Sequence, residues 1–459
     1  RTKMGDLLHP PGIRQTTRAS RTIRRAERPV NQRPPATLSE ETRRTMSDLH
    51  VARGALTPGA GRPTRTGARH NALPLAPSTY FDDALFQREA DTLFRHGPRY
   101  LGHELSVPNP GDYYTLPQEG DGRVLVRTPK SVELISNVCR HRQALILHGR
   151  GNTHSNIVCP LHRWTYDLKG QLIGAPHFTE SPCLHLNNYK TRSWNGLVFE
   201  DNGRDIAADL AALGPRADLD FSGHVLDRVH VHECDYNWKT FIEVYLEDYH
   251  VGPFHPGLGN FVTTDDLRWE MGSEYSVQTV GVATSSGEAL GKPGSDVYSR
   301  WHNEVLRYQQ EHHDGRPPKH GAIWLTYYPG LMIEWYPNVL VVSTLYPRGP
   351  RHTTNVVEFY YPEEIAAFER EYMDTQQAAY LETCIEDDEI ALRMDQGRAA
   401  LWQRGDHESG PYQSPMEDGM EQFHTWYREA MESDLQACPE RPSAGMQRLL
   451  NSSTLNVEP

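Results

Sequence analysis

The stretch Asn137-Val138-Cys139-Arg140-His141-Arg142, followed after a spacer by Cys159-Pro160-Leu161-His162-Arg163-Trp164-Thr165-Tyr166-Asp167, decides how the 459-residue chain is read. Seventeen residues separate His141 from Cys159, so a C-x-H pair and a C-x-x-H pair sit on neighbouring loops. Two thiolates and two imidazoles can hold a metal centre of mixed ligation. One solution is a two-iron cluster, the cysteines on one iron and the histidines on the other. The other is a closed tetrahedral zinc site. The segments around the ligands (Val132–Val138, Asn156–Val158, Gly170–Ile173) read as short strands and turns. Zinc fingers that use two histidines carry them on a helix instead, and Trp164 and Tyr166 suit a shielded cluster on hairpin tips.

These residues resemble the Rieske motif of ring-hydroxylating oxygenase α subunits, in which Cys-Pro-x-His-x-Trp-x-Tyr-Asp is typical. The resemblance makes Cys139, His141, Cys159 and His162 the [2Fe–2S] ligands. Gln143 and Arg163 stand where that family usually has Gly; neither is a ligand.

Outward from this motif, the length allows two or more domains with sizeable cores. Apolar residues make up 37% and no apolar run is long enough to span a bilayer, so no membrane partner is expected. A net charge of −13 argues against nucleic acid and suits docking to another protein. Beyond Cys139 and Cys159, Cys183, Cys234, Cys384 and Cys438 are scattered without paired spacing. That pattern implies a reducing cytoplasm rather than a disulfide framework.

Residues 1–77 form a basic extension, with Arg24-Arg25 and Arg43-Arg44 and few large apolar residues. It is expected to be disordered, without the apolar region of a secretory signal. Its first part, ahead of Met46, reads as translated upstream sequence. Residues 78–99 predict an amphipathic helix, Asp82–Arg95, stopped by Gly97-Pro98 and packing on the catalytic domain. Residues 100–205 alternate short strands and turns. In 206–459, Val225–Cys234, Tyr275–Ala283, Ile323–Tyr328, Leu331–Tyr336, Val339–Tyr346 and Asn355–Tyr361 read as strands. Asn237–His250 and a long stretch from Pro362 to about Trp402 read as helices, and Ser285–Ser295 as a mobile loop. Strands with helices packed on one face make this second domain α+β.

Asn237-Trp238-Lys239 opens a helix that leads to Glu247, His250 and His255. The histidines are five apart around Gly252-Pro253, so they can converge only if the helix breaks. The string resembles the mononuclear-iron motif of the same family. A non-haem Fe(II) that activates O₂ takes two His and one carboxylate on one face. Acidic candidates cluster at Glu386-Asp387-Asp388-Glu389, which also reads as a plain solvated face. In the family the ligand is an Asp eight residues before a Gln. Counting back from Gln396 gives Asp388, with Asp387 as second choice.

Glu247, one turn before His250, can fix the histidine's tautomer. By resemblance it would also bridge to His162 of a neighbouring copy in a head-to-tail homotrimer. Glu here, rather than the Asp of many ring dioxygenases, matches the quaternary-amine monooxygenases of the family. The resemblance, covering about Tyr80 to Arg398, implies an all-β Rieske [2Fe-2S] domain and an α+β helix-grip-type catalytic domain with a central antiparallel sheet. It implies a Rieske mono- or dioxygenase with a mononuclear Fe(II), hydroxylating or demethylating a small organic substrate with O₂. No G-x-G-x-x-G is present, so electrons from NAD(P)H must arrive through a separate reductase or ferredoxin. The competing reading is a Rieske electron carrier or zinc-stabilised binding protein without O₂ chemistry. Tyr245, Tyr249, Trp324, Trp335 and Tyr336 with Glu247 suit a small amine; an aromatic ring substrate is the rival.

Overall fold

The structure, a computed structural model, describes residues 74–283, 294–406 and 408–437. The readings made for residues 1–73, for most of Ser285–Ser295 and for Cys438 lie outside them. Eleven short strands come first: β1 (Tyr100–His103), β2 (Asp112–Thr115), β3 (Arg123–Arg127), β4 (Val132–Ser136), β5 (Arg150–Asn152) and β6 (Asn156–Val158). β7 (Thr165–Asp167), β8 (Leu172–Gly174), β9 (Asn188–Tyr189), β10 (Thr191–Trp194) and β11 (Leu197–Glu200) complete this set. They form sheets of order β5-β2-β3-β4-β9, β6-β7-β8 and β1-β11-β10. Val124, Val126, Ile135, Ile157, Trp164 and Tyr166 pack into a core beneath Cys139 and Cys159.

The second half is built on one antiparallel sheet of seven strands. In chain order these are β12 (His224–Cys234), β13 (Val262–Met271), β14 (Tyr275–Val282), β15 (Ala322–Tyr327), β16 (Leu331–Tyr336), β17 (Val339–Gly349) and β18 (His352–Pro362). Their order in the sheet is β12-β18-β17-β16-β15-β14-β13. Both faces are covered. On one, Ile323, Leu325, Ile333, Leu340 and Val342 pack against Tyr100, Phe199, Ile206 and Phe221. On the other, Trp324, Val341, Val357 and Phe359 meet the helices Asp296–His312 and Arg370–Arg404. Nearly continuous apolar runs along β15–β18 reflect this double burial.

Among the elements of ten or more residues, three went unread in the sequence: β13 and the helices Asp296–His312 and Asp418–Ala437. β13 reads VTTDDLRWEM and is largely exposed, so it lacks the apolar alternation that marks a half-buried strand. The first helix, read as Asp82–Arg95, is α-helical over Asp83–Glu89, capped by the Asp82 carboxylate on the Leu85 N–H, and then widens into a π-turn, Ala90–Arg95. Phe86 and Leu93 pack with Trp238, Ile242 and Phe423 on the catalytic half. None of the described helices is long and apolar enough to cross a membrane.

Candidate metal centres

The two Cys/His loops are built alike. The Cys139 N–H donates to the Ala144 carbonyl (2.9 Å) and the Cys139 carbonyl accepts from Gln143 (3.0 Å). Cys159 repeats this with Trp164 (2.8 Å) and Arg163 (3.1 Å). To close these turns Gln143 and Arg163 take φ of 58° and 59°, the left-handed region that Gly enters without steric cost. That is the physical reason glycine suits both positions. Asn137 pins the first loop, its amide donating to the Asp121 and Leu147 carbonyls and its oxygen accepting from Leu147.

Cys139 and Cys159 are buried. His141 and His162 are at the surface with their Nδ1 atoms 3.2 Å apart. Trp164 stacks on His141 at 4.9 Å and 8°, and the Tyr166 hydroxyl lies 3.4 Å from the Cys139 sulfur. Among the described residues, two groups of three His, Cys, Asp or Glu bring their ligand atoms within 4.8 Å of one another, and neither includes this quartet.

The path to the second centre starts at a buried anchor. Asn237 caps the helix Trp238–Tyr245, its side chain accepting the Lys239 N–H and donating to the carbonyls of Tyr80 (2.9 Å) and Pro350 (2.8 Å). Trp238 and Lys239 both donate to Glu89, with Lys239 Nζ at 2.8 Å. All three of these groups are buried, so the Asn-Trp-Lys string clamps the helix rather than touching substrate. The helix ends at Tyr245, sooner than the reading to His250. The Glu247 carboxylate then accepts the backbone N–H groups of Tyr249 (2.5 Å) and His250 (3.1 Å). A single turn, Val251–Phe254, follows. Pro253 sits within this first turn, where no N–H is missed, and the two histidines flank it.

They converge: His250 Nε2 and His255 Nε2 are 2.9 Å apart. Asp387 Oδ1 lies 2.9 Å from His255 Nε2 and 3.4 Å from His250 Nε2. Each ring has its other nitrogen engaged, Nδ1 of His250 with Glu247 (2.5 Å) and Nδ1 of His255 with Glu386 (2.7 Å). With the Nδ1 protons given to those carboxylates, both Nε2 atoms present lone pairs. Three acceptors then face one another, and Asp387 Oδ1 is buried without a hydrogen-bond donor. Only a cation satisfies such a set, and two imidazoles with one carboxylate are the ligands of a mononuclear non-haem iron. Burial opposes charge on His250, yet Asp387 and Glu247 outweigh it and hold its pKa up at about 10, so a metal ion binding here displaces a proton from the ring.

Asp388, first choice from the sequence count, is not part of this group. Its carboxylate accepts the Tyr236 hydroxyl (2.8 Å) and lies 2.8 Å from His232 Nε2, beside buried Cys234. Consecutive residues on an α-helix point about 100° apart, so a count wrong by one lands on a different face. A periodic signal was present. Ala379, Thr383, Asp387, Ala391 and Asp395 recur every fourth residue, a stripe of short side chains along the helix. Ala379, Ala391 and Asp395 are buried. Asp395 receives the Asn237 N–H and the Thr240 hydroxyl, which aligns the two helices.

The His250/His255/Asp387 group opens on a cavity of about 710 Å³, mouth included, whose wall includes Tyr245, Trp324, Glu334, Tyr336 and Tyr380. The sequence reading had no signal for Glu334 or Tyr380, which reach the cavity only through the sheet and the long helix.

Comparisons with known proteins agree with this layout. Residues 99–190 match the family model for the Rieske [2Fe-2S] domain, and 222–433 that for the ring hydroxylating alpha subunit catalytic domain. The chain is 65% identical to putrescine 2-hydroxylase of Ralstonia nicotianae over 78% of its own length and 95% of that protein. It is 56% identical to putrescine 2-hydroxylase of Bordetella bronchiseptica, covering 83% and 89%. Among solved structures, the quaternary ammonium Rieske monooxygenase CntA in complex with L-carnitine superposes with a TM-score of 0.61 at 20% identity, covering 79% of this chain and 95% of that one. Naphthalene 1,2-dioxygenase gives 0.57 at 19%, covering 83% and 97%. Family oxygenases use O₂, a small substrate and a reductase, and assemble as multimers. With its [2Fe–2S] domain, its mononuclear-iron domain and these relatives, the chain belongs to the Rieske non-haem iron oxygenases, as a terminal oxygenase α subunit.

Proposed function

We propose that this oxygenase hydroxylates a short aliphatic diamine of the putrescine class at the carbon next to an amine-bearing carbon. The observation that carries the reading is 65% identity across nearly the whole of a putrescine 2-hydroxylase. The cavity supports it, because buried carboxyl groups and aromatic faces at Glu334, Trp324, Tyr336 and Tyr380 suit an ammonium. Of the two substrate classes open from the sequence, this favours the amine over the aromatic ring.

His250, His255 and Asp387 would hold a mononuclear iron that supplies O₂ activation, and Cys139, His141, Cys159 and His162 would hold a [2Fe–2S] cluster that supplies electrons originating in NAD(P)H and a separate reductase. One oxygen atom replaces a C–H hydrogen as hydroxyl. The other leaves as water, with two electrons and two protons consumed. The chain's own residues set the conditions for this. Glu247 and Glu386 hold the Nδ1 protons of the two histidines, so both Nε2 lone pairs stay directed inward. Tyr298, Trp301 and Trp324 line the cavity and exclude water.

Glu247 has a second role in this reading, carrying electrons to His250 from His162 of a neighbouring copy in a homotrimer. The surface position of His162 and the exposure of Tyr249, two residues from Glu247, support such a contact. The free Cys183, Cys234 and Cys384 support a reducing, cytoplasmic setting.

The test is a reductase-coupled assay of NADH oxidation and product mass with putrescine, L-carnitine and benzoate, alongside metal analysis and sedimentation. A gain of one oxygen on putrescine, about three irons per chain and a trimer mass are expected. Turnover of carnitine or benzoate without putrescine would overturn the substrate, and a monomer would remove the bridging role of Glu247.

A further inference from the structure

The cavity wall carries four carboxyl groups: Glu247, Asp248, Glu334 and Asp387. Glu247 and Asp387 serve the histidine pair, and Asp248 accepts the Gln278 amide. Glu334 is engaged by neither histidine nor amide. It stands mid-strand on β16, paired across the sheet with Trp324 and Val341. It thus occupies the helix-facing layer, where the strand pattern calls for an apolar side chain. It is 1% exposed. Its oxygens accept the hydroxyls of Tyr336 (2.8 Å) and Tyr380 (2.9 Å), and Tyr336 accepts in turn from Trp324 Nε1 (2.9 Å). Tyr245 brings a third buried hydroxyl to the same cavity, beside Glu334.

Two other buried carboxylates show what is missing. Glu89 is paired with Lys239, and Glu243 with Arg398 and His424. No ion pair is present at Glu334 among the described residues, although burying a carboxylate without a counter-charge is costly. The plain structural reading also has an example in this protein. Glu358 is buried, takes the hydroxyls of Tyr100 (2.6 Å) and Tyr360 (2.9 Å), and has no ion pair among the described residues. Glu358 does not line the cavity; Glu334 does.

We propose that Glu334, oriented by Tyr336 and Tyr380, binds the ammonium of the substrate and so selects which carbon is presented to the His250/His255/Asp387 face. This rests on the amine reading above. Each carboxylate oxygen keeps one tyrosine hydroxyl, Oε2 that of Tyr336 and Oε1 that of Tyr380, while the ammonium docks against the aromatic faces of Tyr336 and Trp324. The ammonium supplies the counter-charge that the protein withholds. No covalent step is involved. The residue is a positioning and specificity group.

The experiment uses the iron-loaded oxygenase with its reductase and compares E334Q, E334D and the control E358Q. For E334Q the putrescine KM is expected to rise at least about tenfold, as for loss of a buried charge-assisted contact, with cluster absorbance and iron content unchanged. E358Q should keep the wild-type KM. In E334D the carboxylate retreats by one methylene, so the preference for 1,5-diaminopentane over putrescine should rise several-fold. A KM within twofold of wild type for E334Q, or an unchanged preference in a folded E334D, overturns the inference. Equal KM increases for E334Q and E358Q would do the same, because that marks a merely structural effect. Should E334Q not fold, the E334D preference ratio decides alone. If the wild-type enzyme turns over no amine at all, the functional reading fails first, and that result is separable from any variant.

Discussion

Two groups in the catalytic half combine the same kinds of side chain with opposite outcomes. His250, His255 and Asp387 meet with their inner atoms 2.9–3.4 Å apart and with both outer ring nitrogens on carboxylates. His232, Cys234 and Asp388 also bring their ligand atoms within 4.8 Å, but there the carboxylate is satisfied by the Tyr236 hydroxyl and by His232. The difference lies in what holds the outer nitrogens. Glu247 and Glu386 take the Nδ1 protons of the first pair and turn both rings into lone-pair donors toward the centre. At the second group the outer nitrogen of His232 faces the Cys234 sulfur at 3.8 Å rather than a carboxylate, and the ring turns its other nitrogen to Asp388. Convergence of His and Asp therefore does not mark a metal site; an unsatisfied set of acceptors does.

The largest effect that could break this contrast is at adjacent residues of one helix. D387A is expected to lose the mononuclear iron and fall below about 1% of wild-type hydroxylation, with the [2Fe–2S] absorbance intact. D388A should keep its iron and lose about 1–3 kcal/mol of stability, since Tyr236 and His232 are left without their acceptor. Metal analysis of the pair decides; iron lost from D388A and kept by D387A reverses the assignment.

A smaller effect is expected at Glu247. E247A should weaken iron binding about 10–100-fold by freeing the His250 ring, while E247Q, which still accepts from Nδ1, should keep more of it. Equal loss in both would show that the charge, not the orientation, matters. Iron titration followed by activity distinguishes the two.

The smallest is a pH effect at the closed group. The hydrogen bond to Asp388, aided by Cys234, raises the His232 pKa to about 10. A folded value above the unfolded 6.5 means the contribution to stability is fully present below pH 6.5 and fades as pH rises through about 10. In H232Q that slope should vanish from denaturation curves between pH 6.5 and 10, a change of the order of 1–3 kcal/mol. An unchanged slope would mean that His232 is not protonated beside Asp388.

Much of the chemistry was legible along the chain, because the features that carried it are local. A ligand pair such as Cys159-Pro160-Leu161-His162 lies on one tight turn, and strands β15–β18 announce themselves as apolar runs. Strand β13 did not, since its solvent-facing residues hide the alternation. The choice between Asp387 and Asp388 depended on a rotation of about 100° about the helix axis, which a residue count cannot resolve. The Asn-Trp-Lys string was visible as a signature, but its work is buried: it ties the helix to Glu89, Tyr80 and Asp395 and so aims Glu247 and His250.

The sequence by itself determined the two Cys/His loops, the histidine pair and the α+β plan, since each follows from residues within one turn or one periodic segment. Only the tertiary structure decided which aspartate joins the histidines and that Glu334, 79 residues from His255 and 53 from Asp387 in the numbering, shares their cavity. Those relations are set by helix rotation and by cross-strand register, which bring distant residues to one face and which no short stretch of sequence contains.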